Sequence, residues 1–504
     1  MANFLNGLKN STNFTLTENG AVAHKTTRSD LLDMFAMGAA MRSRSDSDVI
    51  LMWRKAFAEN PVYALKCLFY IRDVRGGQGE RRFFRLCIRD LANQNTEALV
   101  RNIEYIPEFG RYDDLYVLVD TPAEDAAFAF IKKQLALDIQ CKTPSLLAKW
   151  LKSENTSSKD SRRLAGRTRQ YLGMNHKQYR KTLSALRTRI NVLEKLMSEG
   201  RWDEIEFDKI PSRAGMIYRN AFARHDIERA KSEKNVTTYA DFAKDKTTKV
   251  NAKALNPVDI ADQIFRKYNP TETERLMWDK YWSCLKDYYN GREENGIAVV
   301  DVSGSMTGQP MNAAVSMGAY IAERGKGPFA NHFITFSSHP QLIKFEGVDI
   351  YDKFMRARNA DWAMNTNIEA TFDLLLNTAL ANNCAQEDIP SAIYIFSDME
   401  FDACATIGPI NTSRYGSRIN RVTSAQANTL FEQIKIKWAN YGYKLPRVIF
   451  WNLNCRQENI PAIGDGFSFI SGFSMNMIEQ ILSGEDGYSL MMKKLNTERY
   501  ACIS

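Results

Sequence analysis

From Ser29 to Cys284 the apolar residues recur at helical spacing. Leu31, Leu32, Phe35 and Ala39 share one face. Ile50, Trp53 and Phe57 line a second helix, which Asp48 can cap and Asn60-Pro61 stops. Ala64, Leu65, Leu68 and Phe69 begin a third, closed by Gly76-Gly77, and Phe83, Phe84, Cys87, Ile88 and Leu91 mark a fourth. Helices of about a dozen residues joined by short polar turns predict an α-solenoid of stacked pairs. No strict repeat period is visible, so the array is degenerate and HEAT-like. Tyr179, Leu183, Leu186, Ile190, Leu193 and Met197 recur at spacings of four and three and predict one continuous apolar seam. Ser153 to Gly173, polar and Arg-rich, predicts a flexible or partly helical loop that a ligand would order.

After Asn295 the pattern changes. Short apolar runs at 297–300, 332–336, 393–396, 448–451 and 467–470 alternate with helical patterns. Such alternation predicts a parallel, doubly wound sheet. The chain is therefore expected to be multidomain, an α-helical HEAT-like solenoid or ring followed by an α/β doubly wound domain. The expected boundaries are an N-terminal arm at 1–28, a helical domain at 29–290 and the α/β domain at 294–504. Lys231 to Asn256, rich in Lys and Thr, is expected to be a mobile insertion.

Charge sharpens this division. The formal net charge is +8 over 504 residues. Between Lys142 and Lys195 stand fourteen Lys or Arg against three acids, an excess of eleven that exceeds the charge of the whole chain. A concentrated positive surface is the footprint of a polyanion-binding face. The candidate phosphate contacts are Lys159, Arg162, Arg163, Arg167, Arg169, Lys177, Arg180, Lys181, Arg187 and Arg189. Trp150, Tyr171 and Tyr179 interleave them as candidate stacking faces, although aromatics at such spacing are more often core. Eight scattered cysteines with no C-x-x-C pair suit a reducing cytosol. The polar first twenty residues lack a signal-peptide core, and no stretch is apolar enough to span a membrane. A cytoplasmic monomer is expected.

The candidate chemistry lies in the second domain. The run Ile297–Val300 ends in Asp301-Val302-Ser303-Gly304-Ser305, and the run Ile393–Phe396 ends in Ser397-Asp398. Between them Asn365-Thr366-Asn367 precedes a helical pattern. Ligands of open α/β sheets bind beyond the carboxyl ends of the strands, and Mg²⁺ takes an all-oxygen shell. The bland alternative is that Asp301 caps the next helix and the serines satisfy loop amides. Asp301, Ser303, Ser305, Thr366 and Asp398 match in order the metal-ion-dependent adhesion site of von Willebrand factor A domains, which this part of the chain resembles. That resemblance implies a site for Mg²⁺, or another divalent cation such as Mn²⁺. The hydroxyls would touch the metal, and a partner protein's carboxylate would complete its shell. With Phe109–Leu115, Ala148–Leu151 and Pro211–Ala214, the whole layout is similar to the TROVE (Ro ribonucleoprotein) family, and closer to a related family of the same layout. It implies a ring of helical repeats that binds small structured or single-stranded-ended RNA, non-coding or misfolded.

Enzyme readings fit less well. The spacing supplies neither a Gly-x-Ser-x-Gly elbow nor a Gly-x-x-x-x-Gly-Lys loop, and five histidines show no ligand spacing for zinc. The reading is a non-catalytic RNA-binding scaffold with a metal-dependent protein site. The alternative is an RNA-independent adaptor beside an AAA-type ATPase. A metal-dependent nuclease or phosphatase ranks last, with Glu400 and Asp402 its only extra carboxylates.

Overall fold

The structure, a computed structural model, describes residues 12–232, 236–336, 340–358, 367–403, 429–482 and 484–504. It is multidomain, with a helical region preceding a mixed α/β sheet. A two-stranded antiparallel hairpin, β1 (Phe14–Leu16) and β2 (Val22–His24), opens the described chain. The six-stranded sheet contains β3 (Gly296–Asp301), β4 (His332–Phe336), β5 (Gln341–Lys344), β6 (Ala392–Ser397), β7 (Arg447–Asn452) and β8 (Phe467–Ser471). Its order is β5-β4-β3-β6-β7-β8.

All neighbours in this sheet are parallel except β4 and β5, which pair antiparallel. The expected purely parallel sheet is thus mixed. Physically, β5 (Gln341-Leu342-Ile343-Lys344) alternates half-buried and exposed residues, as suits a solvated edge, and lacks the long apolar run that marks a central strand. Residues of β3 and β6 are buried on both faces apart from Gly296, as strands covered by helices should be. The helix Gln309–Arg324 lies close on β3 because Gly318 has no side chain there; a Cβ would sit 2.4 Å from Val300 Cγ2.

Compact units do not follow the linear split at residue 294. One unit takes the chain up to Cys67, Asn256–Pro270 and Leu285–Thr497; the other takes Leu68–Leu255, Thr271–Cys284 and Glu498–Ser504. The first unit joins the hairpin and the helix Asp30–Met37 to the sheet. His24 exchanges backbone hydrogen bonds with Ile460, both at 2.8 Å. Ser471 at the end of β8 donates to Phe35 O and accepts from Ala39 N–H.

The second unit is helical. Its main helices are Arg82–Gln94, Glu124–Gln140, Lys159–Tyr171, His176–Arg189, Ser212–Arg224 and Glu272–Ser283. It contains a buried ion pair, Arg72 Nη2 to Asp114 Oδ2 at 2.7 Å. Gly110 permits it, since a Cβ there would stand 2.4 Å from Asp114 Oδ2. The Gly76-Gly77-Gln78-Gly79 stretch is a turn closed on Tyr70, Ile71 and Asp73. Arg499 and Tyr500 bind the Asp73 carboxylate beneath it.

Of two local expectations, the partly helical form of Ser153–Gly173 is met and the continuous seam is not. Ser153–Gly173 contains a regular helix, Lys159–Tyr171, whose N-cap Ser158 accepts the Ser161 N–H at 3.2 Å. The seam from Tyr179 to Met197 is broken into the helices His176–Arg189 and Leu193–Ser198. Asn191 takes a left-handed conformation (φ 48°) between them, with the Asn191 and Val192 N–H groups turned back onto Thr188 and Arg187. In the segment Lys231–Asn256, the helix Tyr239–Lys244 is capped by Thr238, and Lys280 Nζ reaches Thr248 O at 3.1 Å.

Candidate metal site at the switch point of the sheet

Strand order reverses between β3 and β6, so the crevice beyond their carboxyl ends is the position where open α/β sheets hold ligands. Asp301 ends β3 and is fully buried. Its Oδ1 accepts the Ser303 N–H at 2.9 Å, and its Oδ2 accepts the Ser397 hydroxyl at 2.6 Å. Residues Gly304–Met306 form one 3₁₀ turn after the strand. That turn brings the Ser303 and Ser305 hydroxyls to 3.0 Å from each other.

Asp398 follows β6 and is buried. Its Oδ1 accepts the Glu400 N–H at 3.2 Å. Its Oδ2 is buried and has no hydrogen-bond partner among the described residues. The cation near it is Arg456, whose Nη1 lies 3.9 Å away. Burial pushes both Asp301 and Asp398 above the ordinary carboxylate range, and the charge of Asp398 adds to the shift at Asp301. Two buried carboxyls and two hydroxyls, with one carboxylate oxygen orphaned, form a donor set suited to a hard divalent cation.

A second layer surrounds these groups. Met399 adopts a left-handed conformation (φ 67°) and donates its N–H to Ser397 Oγ at 3.0 Å, which fixes where Asp398 leaves the strand. Glu400 is buried, accepting the Glu18 N–H at 2.7 Å and Asn459 Nδ2 at 2.8 Å. Burial pushes its carboxyl up to about 7. Arg456 bridges this layer to the hairpin, pairing with Glu18 at 2.7 Å.

The structure thus brings together Asp301, Ser303, Ser305 and Asp398. Thr366 lies outside the described residues; the helix that follows it, Ile368–Ala381, is capped by Asn367, which accepts the Ala370 N–H at 3.0 Å. Ser397, Arg456, Glu18 and Asn459 join the surroundings without having been expected as site residues. Ser397 carried a signal in its place beside Asp398 at a strand end. The other three had none, being remote in the sequence. Among the described residues no group of three or more His, Cys, Asp or Glu side chains gathers as a metal cage; hydroxyls supply half of this donor set.

Of the ten basic candidates, six are engaged within the helical unit. Arg163 pairs with Asp120 and Asp160, Arg167 with Glu124 and Arg169 with Glu154. Arg162 donates to Thr156 O and Ser157 O, and Arg189 to Asp138 O and Ile139 O. Arg187 is an internal brace, donating to Ala148 O, Leu151 O and Ser153 Oγ around the end of the short helix Leu147–Trp150. Lys159, Lys177, Arg180 and Lys181 are exposed, and no ion pair holds them among the described residues. Tyr179 is buried, Tyr171 stacks on Phe128 with ring centroids 4.3 Å apart, and Trp150 carries the Arg111 guanidinium at 4.1 Å.

The fold and site define a protein of two compact units, with an oxygen-lined crevice at the switch point of its sheet. Residues 17–143 and 136–285 match the family described as Domain of unknown function (DUF2828), and residues 295–499 match Domain of unknown function (DUF7788). The chain is 30% identical over 513 residues to uncharacterized protein L728 of Acanthamoeba polyphaga mimivirus, covering 94% of this chain and 85% of the viral protein. The protein belongs to the DUF2828 family, its sheet-bearing part being the DUF7788 domain.

Proposed function

We propose that this protein is a non-catalytic scaffold whose sheet holds a divalent cation for capturing a protein partner and whose helical unit binds RNA. In this reading the sheet is a von Willebrand factor A-like domain and the helical unit a degenerate TROVE-like array. The observation that carries it is the orphaned, buried Asp398 Oδ2 beside the paired hydroxyls of Ser303 and Ser305. Asp301, Ser303, Ser305 and Asp398 would hold the ion, with Thr366 as the fifth group. A bound Mg²⁺ or Mn²⁺ would supply an electrophilic position for a partner's carboxylate. Ser397 and the Ser303 N–H keep Asp301 oriented, and Met399 holds Asp398 in place.

The RNA part rests on the four exposed bases Lys159, Lys177, Arg180 and Lys181. A specific observation favours an RNA-independent adaptor as the second reading: most of the basic segment is neutralised or braced internally. No helix among the described residues is long and apolar enough to cross a membrane. The described cysteines are all free, which supports a cytoplasmic location within this proposal.

Manganese titration followed by electron paramagnetic resonance tests the site. Wild type should bind one Mn²⁺ that Mg²⁺ displaces, and Asp301→Ala should lose it together with cation-dependent partner capture. Equal Mn²⁺ binding by the variant would end the assignment. A salt series with RNA, comparing wild type with Lys177→Gln/Arg180→Gln/Lys181→Gln, tests the other half. The variant's log–log salt slope should be shallower by about two to three; an unchanged slope favours the adaptor.

A further inference from the structure

In the helical unit one guanidinium stands where the fold supplies no acid for it. Asp114 is fully buried and accepts Arg72 Nε at 2.9 Å and Nη2 at 2.7 Å, Arg85 Nε at 2.6 Å and the Arg111 N–H at 3.0 Å. Asp113 accepts Arg111 Nε at 2.9 Å and Nη2 at 2.8 Å, and Arg85 Nη2 at 3.0 Å. Both oxygens of both carboxylates are therefore engaged. Arg81 lies within Coulombic reach of Arg111, Arg85 and Arg72; desolvation and then their positive charges push its pKa down, and Asp113 opposes them. Its residue is exposed, and among the described residues no hydrogen bond or ion pair holds its side chain.

Charge bookkeeping gives four guanidiniums against two carboxylates, an excess of two. Glu80, the adjacent acid, accepts the Arg82 N–H at 2.9 Å; counting Arg82 and Glu80 together leaves the excess at two. At the start of the helix Arg82–Gln94, Arg81 is the N-cap and makes no side-chain cap bond; the first N–H of the helix is satisfied by Glu80 instead. This differs from the helix Lys159–Tyr171, whose Arg163, Arg167 and Arg169 each meet a carboxylate. Removing Arg81 would relieve repulsion from Arg111, Arg85 and Arg72 and would break no hydrogen bond or ion pair of its side chain among the described residues.

We propose that Arg81, Arg85 and Arg111 form a phosphate-binding subsite that takes one phosphodiester group of a bound RNA. The proposal deepens the RNA reading above and rests on it for the phosphate's source. Arg85 and Arg111 each engage Nε and Nη2 internally, which leaves Nη1 of both without a partner among the described residues. The Arg111 guanidinium also lies over the Trp150 ring at 4.1 Å, so its donors are held in place before a ligand arrives. Guanidinium forks match phosphate oxygens in pairs, which a lysine ammonium does not.

The test uses the full chain as wild type, as Arg81→Gln and as the Lys177/Arg180/Lys181 triple Gln variant. Anisotropy titrations with a labelled single-stranded oligouridylate at several salt concentrations are paired with melting curves in inorganic phosphate. Arg81→Gln should weaken oligouridylate binding about five- to tenfold, reduce the salt slope by about one, and abolish the rise in melting temperature that phosphate gives wild type. Its own melting temperature without phosphate should not fall, which separates ligand loss from misfolding. Wild-type-like RNA binding by Arg81→Gln overturns the subsite and leaves the RNA reading standing. Arg81-dependent stabilisation by phosphate with no RNA binding by any form overturns the RNA source and identifies a small-phosphate site. Absence of both effects in wild type overturns both.

Discussion

A single oxygen atom decides most at the residue scale. Asp398 Oδ2 is buried without a hydrogen-bond donor, a situation that costs on the order of 1–3 kcal/mol in a folded protein. Such groups persist when something outside the polypeptide satisfies them. Asp398→Asn removes the charge and keeps the shape. Without metal, the variant should therefore be as stable as wild type or more stable by about 1 kcal/mol, measured by urea denaturation at neutral pH. Saturating Mn²⁺ should raise the melting temperature of wild type and leave the variant unmoved. A metal-induced rise that survives in the variant would remove Asp398 from the ligand set. Asp301, Ser303, Ser305 and Asp398 were legible in the sequence because a strand end fixes where side chains emerge and the chain order supplies the rest. Arg456 and Glu18 were not, because neither sits in a local pattern that points toward Asp398.

The element scale shows where local pattern misleads. Ser153–Gly173 reads as no more than a flexible or partly helical loop because its own composition is polar and basic, and a helix there has few apolar residues to bury. It folds because acids both inside the segment (Glu154, Asp160) and outside it (Asp120, Glu124) meet its arginines. Glu124, on the preceding long helix, takes Arg167 through both oxygens at 2.8 and 3.0 Å. The Arg167 hydrogen bonds hold the Glu124 carboxyl below its ordinary range. A depressed carboxylate stabilises the native state at any pH above its unfolded value, and that stabilisation disappears as pH falls through the folded value. Glu124→Gln should thus lower stability at pH 7 by less than about 1 kcal/mol, since Arg167 is partly solvated. The difference from wild type should shrink as pH falls below the ordinary Glu value of about 4.3 and vanish once pH is below the depressed folded value. Urea titrations across that range check it, and a difference that persists at low pH would assign the effect to packing. The seam through Tyr179 and Met197 misleads the opposite way. Its spacing continues through Asn191, but Asn tolerates the left-handed conformation that ends a helix, and one such residue outweighs a periodic pattern.

For the whole molecule, what a linear reading misses is which distant segments fold together. The sheet and most of its strands were legible, because apolar runs between helical patterns are a local signal. The hairpin β1–β2 was not: its strands are three residues each, and the turn between them bonds to residues nearly four hundred positions away. Thr17 Oγ1 donates to Phe401 O at 2.6 Å, the Glu18 N–H to Glu400 Oε2 at 2.7 Å, and Asn19 Nδ2 to Glu400 O at 2.6 Å. These three bonds hold the loop that carries Asp398. The part of the expected N-terminal arm that includes Thr17, Glu18 and Asn19 is one wall of the candidate metal site. Removing residues 1–28 strips Glu400 of its Glu18 donor, and each buried group left unpaired costs on the order of 1–3 kcal/mol. The truncated protein should melt several degrees lower. Its Mn²⁺ affinity should also fall severalfold, because the same loop positions Asp398. Adding back Mn²⁺ should recover part of the lost melting temperature, since the ion binds the folded form alone. Unchanged melting and unchanged Mn²⁺ affinity would mean that the sheet alone shapes the crevice and the hairpin merely lies against it.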